Sequence, residues 1–348
     1  MKLTLQLSCY NGARYLPHLF ASLNAQTFQD WRLVVLDNAS HEADAQAIRE
    51  AMRVLPRERA EWFRVHPNIG FAGAHSYLFD RRDRQSEYVA LLNDDAILEP
   101  TYLETLVREL DTHAECGAVE GIIYRWNYDE RDTPSGGKTT VLDTYGLGRD
   151  RFGRIYDRGA NKAFDPANLP ADSFPVWGVS GCLPMYRVQA IAESTQHGRI
   201  FDTRLRIYKE DVDLAWSLHH AGWTARSVPA ARAYHRRSYG ATITSLKRPT
   251  TESGTLSYRN HLWNTIAHSS IGDMLTRPGI LPFELAKALY WLIRSPKTLW
   301  IAARDTWNAR TWLWQKRQFM TRLKRVHANG TRPPSPAPTR AADSPATP

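Results

Sequence analysis

Apolar positions in the first third of the chain follow two periods in turn. Leu3, Leu5 and Leu7 alternate with polar residues, which is the period of a strand. The runs Trp31–Leu36, Trp62–Val65 and Tyr88–Leu92 are short and apolar, as buried strands are. Between these runs the spacing predicts helices over about 14–25 and 43–54, and a third ending near Phe79. Pro100 opens a fourth, to about Asp111, at the first turn, where its missing N–H costs nothing. Strands and helices alternating at this spacing predict an α/β fold with a doubly wound, mainly parallel, Rossmann-like sheet.

The pattern then changes. Residues 125–175 are rich in Gly, Arg, Tyr and Asp with weak periodicity, and read as an insertion or irregular hairpins flanking a site. Regularity returns over Val176–Arg187, in a helix over about Tyr208–His220, and in a strand Trp223–Val228 that leads to Ala233–Ser238. Residues 282–327 interleave aromatic, aliphatic and basic side chains, and a C-terminal helical extension is expected over 266–327. From Ala328 the chain is rich in Pro, Ala, Thr and Ser, and is expected to be disordered.

The net charge of +9 sharpens this division. Residues 287–327 hold ten Lys or Arg against one acid, Asp305, so the rest of the chain is balanced. Five of the twelve Trp fall between 282 and 327. A basic, Trp-rich amphipathic segment suits an anionic membrane surface; packing on the preceding domain is the alternative, and no nucleic-acid module accompanies it. The three cysteines, Cys9, Cys116 and Cys182, form no CxxC or metal spacing and read as reduced thiols of a cytoplasmic protein. The alternating N-terminus is a strand rather than a signal peptide, and no apolar stretch is long enough for a bilayer.

Carboxylates stand where these elements end. Asp37 ends the second strand. Asp94 and Asp95 end the fourth, where an open α/β sheet binds ligands, so they are placed to hold a metal or a sugar unless they form a solvated acidic turn. Asp37 is equally suited to cap the turn Asn38-Ala39-Ser40. Glu210 and Asp211 flank the apolar face of the helix they open, whereas Asp213 falls on its wet face.

The segments Cys9-Tyr10-Asn11-Gly12, Asp37-Asn38-Ala39-Ser40, Asn68-Ile69-Gly70-Phe71-Ala72-Gly73, Leu92-Asn93-Asp94-Asp95, Gly181, Glu210-Asp211-Val212-Asp213-Leu214, His235 and Tyr258-Arg259-Asn260 stand in the order and spacing of one family. Over about residues 3–265 the chain resembles glycosyltransferase family 2, inverting enzymes of the GT-A fold, and most of all its bacterial rhamnosyltransferase-like branch. The resemblance implies a catalytic domain over 1–265, with a nucleotide-binding half to 115 and an acceptor-binding half after it. It implies a dTDP-, UDP- or GDP-sugar donor and a lipid-linked or polysaccharide acceptor. It also implies Mg²⁺ or Mn²⁺, held by Asp95 and His235 with Asp94 beside the ribose or metal. Asn11, Asp37, Asn38, Asn68, Gly70 and Gly181 would line the nucleotide-sugar site. Arg187 and Arg259 would contact diphosphates, and Asp211 would be the catalytic base, with Glu210 second for that role. A cytoplasmic protein on the inner face of the membrane is the matching expectation. The chain departs from the pattern at Asn93, where the family's Asp-x-Asp motif has its first acid. That departure leaves an inactive sugar- or lipid-binding scaffold as the competing reading. A nucleotidyltransferase would want a Gly-rich basic loop after the first strand, and residues 8–14 contain a single Gly.

Overall fold

A computed structural model describes residues 1–162, 169–237, 251–328 and 330; Ser238 and the tail from 331 lie outside them. The alternating first third folds into strands β1 (Leu3–Cys9), β2 (Trp31–Asn38), β3 (Ala60–Val65) and β4 (Tyr88–Asn93). They are joined through helices α1 (Leu16–Asn24), α2 (Glu42–Ala51) and α3 (Gly70–Phe79). β4, β1, β2 and β3 are parallel neighbours. A three-residue strand β5 (Ala96–Leu98) follows β4, and α4 (Tyr102–Thr112) closes this half.

The second half adds β6 (Cys116–Trp126), β7 (Lys138–Thr144), β8 (Leu147–Arg149), β9 (Ile155–Asp157), β10 (Phe174–Val176), β11 (Met185–Arg187), α5 (Val188–Ser194), α6 (Glu210–His220) and β12 (Thr224–His235). The sheet runs β10-β12-β6-β11-β4-β1-β2-β3, with β5 on β12 and β7 on β6. β11 is antiparallel between β4 and β6, while β12 runs parallel to β6.

Both faces of the sheet are covered, so alternate strand residues enter different cores. Leu5, Leu7, Ala90 and Leu92 pack with Leu19 and Phe20 of α1 and Leu103 and Leu106 of α4. Val89 and Leu91 pack on the other face with Phe79 of α3 and Leu214 and Leu218 of α6. This two-sided burial is why the strands read as continuous apolar runs.

The C-terminal extension is helical: α7 (Thr251–His268), α8 (Ile271–Thr276), α9 (Ile280–Arg294), α10 (Pro296–Asn308) and α11 (Arg310–Ala328). α7 packs on α10 and α11, and α11 lies against α6. This overturns the expectation that Asp213 faces water. Lys316 of α11 covers it, Nζ to carboxylate 2.7 Å, and His268 Nε2 stands 2.8 Å from the same carboxylate. Among the described residues, no helix is long and apolar enough to cross a membrane.

Candidate functional site

The carboxyl ends of β1, β2 and β4 lie side by side, and their loops interlock. Asn11, in the left-handed region at φ 55°, donates its backbone N–H to Ser40 Oγ at 3.0 Å and accepts the His41 N–H at 3.0 Å. Asp37 caps the turn through Ser40 N–H at 2.9 Å and faces Arg64 Nε at 3.0 Å. Asn38 takes the Ile69 N–H at 2.9 Å, and Asn68 takes that of Gly70 at 2.9 Å. Gly70 has φ +76°, and a Cβ there would lie 2.6 Å from the Arg206 carbonyl oxygen. Only glycine lets α3 begin against that loop. All five polar and glycine positions are therefore turn-builders at the strand ends.

Asp94 and Asp95 turn in different directions. Asp94 faces the loop after β1, where Cys9 Sγ donates to it at 3.3 Å and where a Cβ on Gly12 would meet its Oδ2 at 1.9 Å. Burial, and then the neighbouring Asp95 charge, raise its pKa to about 7. Asp95 faces β12. The pairing of Ala96 with His235 brings Asp95 Oδ1 to 3.1 Å from His235 Nε2. Burial opposes ionisation of Asp95, but the His235 charge and hydrogen bond prevail and hold its pKa low.

His235 is held from behind. Asp143 Oδ2 lies 2.7 Å from its Nδ1. The Asp143 carboxylate is also engaged by Arg125 Nε at 3.2 Å and Arg237 Nη1 at 2.9 Å. A carboxylate on one ring nitrogen fixes the tautomer and turns the other nitrogen outward, the arrangement of metal-bound histidines. Asp143, Cys182 and His235 offer ligand atoms within 4.8 Å of one another. Asp143 is already occupied by two guanidiniums and the His235 ring N–H, and burial pushes the Cys182 thiol up to about 11. His235 Nε2 with Asp95 Oδ1 is therefore the pair that fits a divalent cation. Asn93 Nδ2 stands 3.0 Å from the same His235 Nε2, and its Oδ1 is buried without a hydrogen-bond partner.

Asn93, His235, Gly181, Glu210 and Asp211 line one cavity of about 340 Å³. Gly181 N–H donates to Asp211 Oδ2 at 3.0 Å, and Val212 N–H donates to Oδ1 at 2.7 Å. Glu210 is more enclosed, and its Oε2 has no partner. Burial raises the pKa of both, and the Asp211 charge raises Glu210 further, to about 8. The loop before α6 is strained: Arg206, Tyr208 and Lys209 all have positive φ. Asn260 Nδ2 clamps it, reaching the carbonyls of Leu205, Ile207 and Tyr208 at 2.8, 3.0 and 2.7 Å.

Two expected diphosphate contacts are corrected. Arg187 is paired with Tyr88, at the amino end of β4, and its guanidinium holds the carbonyls of Cys116 and Leu110 on the far side of the sheet. Arg259 is buried, donates to Asn260 Oδ1 at 2.8 Å and faces Asp305 at 3.7 Å; it orients the clamp instead of meeting a ligand. Asp143 and Cys182 escaped the sequence reading. Asp143 sits in the irregular stretch 125–175, where Val141 and Leu142 stand side by side and no alternation marks a strand.

The chain matches the sequence model described as Glycosyl transferase family 2 over residues 5–194, more than half its length. It is 28% identical over 125 residues to an uncharacterized glycosyltransferase of Nostoc, a match spanning 34% of this chain and 36% of that protein. It is 24% identical over 253 residues to the N-acetylglucosaminyl-diphospho-decaprenol L-rhamnosyltransferase of Mycobacterium tuberculosis, spanning 66% of this chain and 74% of that one. Among solved structures, GalNAc-T7 with UDP, GalNAc and Mn²⁺ superposes with TM-score 0.58 at 14% identity, covering 77% of this chain and 48% of that one. The mannosyltransferase PcManGT of Pyrobaculum calidifontis, in complex with GDP-Man and Mn²⁺, gives 0.50 at 15% identity, covering 94% and 87%. These likenesses show the fold, which is GT-A.

Proposed function

The chain belongs to glycosyltransferase family 2, and on that premise we propose that it transfers a sugar, with inversion, from a nucleotide-sugar donor to a hydroxyl of a lipid-linked or polysaccharide acceptor. One observation carries the reading: Asn93, the adjacent pair Glu210 and Asp211, and His235, from three separate segments, converge on one cavity beyond the carboxyl ends of the strands. The strand-end loops of Asn11, Asp37, Asn38, Asn68 and Gly70 form the nucleotide side, with Asp94 toward the ribose. Asp95 and His235 hold Mg²⁺ or Mn²⁺, which offsets the charge of the departing diphosphate.

Asp211 is the base. Its carboxylate takes the proton of the acceptor hydroxyl as that oxygen attacks the face of the sugar opposite the diphosphate. Gly181 N–H fixes its orientation, and Glu210, kept protonated by burial, leaves Asp211 as the ionised member of the pair. Rhamnose from a dTDP donor and a polyprenyl-linked acceptor are favoured by the mycobacterial relative's name. A peripheral position at the cytoplasmic face of a membrane is favoured by the apolar and basic extension.

A thermal-shift screen of dTDP-, UDP- and GDP-sugars with Mn²⁺ tests this. A ligand at 100 times its Kd stabilises by about 2.7 kcal/mol, so the native donor raises Tm clearly. No shift and no turnover with any donor would refute the transferase reading. Donor binding without turnover in the parent, and unchanged by Asp211→Ala, would favour a scaffold.

A further inference from the structure

A second cavity, of about 590 Å³, opens off the one that holds Asp211. The two share Ile155, Tyr208, Lys209 and Ser257. Its walls come from α7 and α9, and Tyr258, Phe283, Tyr290 and Trp291 make them aromatic. Gly254 of α7 leaves room for Trp291, since a Cβ there would lie 2.7 Å from the indole edge.

Its charge is one-sided. Arg154, Lys209 and Lys287 line it. Burial lowers the Lys287 pKa to about 8; Glu284 opposes that shift, while Lys209 and Arg154 add to it. Lys287 Nζ stands 5.8 Å from the Tyr258 ring and 5.3 Å from that of Phe283, so it rests against apolar faces. Tyr290 stands at the mouth of the groove, while an apolar stripe is left in water on the opposite face of α9, two positions out of step with Phe283, Lys287 and Trp291. Tyr290 is 55% exposed, and Leu281, Leu285, Leu289 and Ile293 are 58, 62, 56 and 77% exposed along α9. Aromatic walls that reach the surface at Tyr290, and clustered cations beside the catalytic cavity, match a molecule with a hydrocarbon end, an anionic middle and a polar head.

We propose that this groove between α7 and α9 holds the acceptor as a polyprenyl diphosphate. Its chain lies along Phe283, Tyr290 and Trp291, its diphosphate lies against Arg154, Lys209 and Lys287, and the sugar it carries passes Tyr208 to reach Asp211. The inference rests on the glycosyltransferase reading and gives its acceptor a binding site. It also separates two anions: the donor's diphosphate belongs by Asp95 and His235, the acceptor's by Lys287.

Calorimetric titration of the full chain with farnesyl diphosphate, inorganic diphosphate and farnesol separates the sources of affinity. Farnesyl diphosphate is expected to bind roughly tenfold or more tighter than either fragment. Lys287→Glu should weaken it by roughly tenfold or more, and Gly254→Leu should do the same by pushing on Trp291. Both variants should keep the Tm shift given by the nucleotide-sugar donor, which shows that they fold. Inorganic diphosphate binding as tightly as farnesyl diphosphate, or both variants binding it as the parent does, would overturn the acceptor site. Absence of a donor shift in the parent would instead remove the transferase reading, a separate failure.

Discussion

Asp211 can act as a base only after it gives up a proton that burial encourages it to keep. Its pKa is raised, so the active, ionised form accumulates only as pH climbs above the ordinary carboxylate value of about 3.9. Turnover should therefore rise with pH along an acid limb whose midpoint lies above that value. Asp211→Asn should remove the limb and lower kcat roughly 10²–10⁴-fold while donor affinity holds. A pH–rate profile of kcat for both proteins checks it, and an unchanged limb in the variant would pass the role to Glu210. The metal side gives a second residue-level prediction. On the proposed site Asp143 would act on the cation through His235, so Asp143→Asn should weaken Mn²⁺ binding by roughly 10–100-fold without removing it. Titration with Mn²⁺, followed by its paramagnetic signal, measures that loss. His235→Ala should cost more, because it deletes a ligand rather than its support.

At the scale of elements, the proposed base stands on α6, and α11 packs against α6. Lys316 and Asp213 are almost fully buried and 2.7 Å apart. Removing one partner leaves a buried charge alone, so Lys316→Met should cost on the order of 3–5 kcal/mol in urea unfolding. The pH dependence has a definite sign. Burial pushes Asp213 up, but the Lys316 charge and the His268 hydrogen bond bring it down to about 2. A depressed folded pKa gives stability that is complete above the unfolded value of about 3.9 and fades as pH falls toward 2. Lys316→Met should flatten that slope; an equally steep one would place the acid sensitivity elsewhere. Elements of this kind were unevenly legible in the sequence. β1 to α4 could be read because each period is local and each carboxylate ends its own strand. β12 runs on to His235 through a register shift between Val228 and Arg232, where Pro229 reads as a stop. The eleven residues of β6 carry a buried Glu120, held by Ser180 from a distant loop, and a charge inside an apolar run hides a strand. Asp213 reads as wet because the residue that covers it lies 103 positions away.

For the whole molecule, the C-terminal extension packs on the preceding domain through α11 and still presents the exposed apolar and basic face that the proposed membrane contact needs. Leu313, Met320 and Leu323 of α11 are buried. α9 keeps Leu281, Leu285, Leu289 and Ile293 in water, four residues apart on one stripe, and Trp300, Trp307 and Trp314 are also exposed. Burying a leucine is worth up to about 1.5–3 kcal/mol, and a basic residue near an anionic surface adds about 1 kcal/mol. Arg294, Lys297 and Arg304 follow the stripe directly in sequence, so apolar and electrostatic attraction reinforce each other on an anionic bilayer. Deleting the extension would test this poorly, because it would also strip Lys316 from Asp213. Leu285→Glu with Leu289→Glu leaves that pair intact and puts two charges in the centre of the stripe. The full chain should sediment with phosphatidylglycerol vesicles and be released by salt, whereas the double variant should stay in the supernatant with its Tm unchanged. Co-sedimentation of the variant at the level of the parent would show that α9 does not face the bilayer. Loss of vesicle binding together with loss of turnover on a membrane-embedded acceptor, but not on a short-chain one, would tie the stripe to delivery of the acceptor rather than to the chemistry at Asp211.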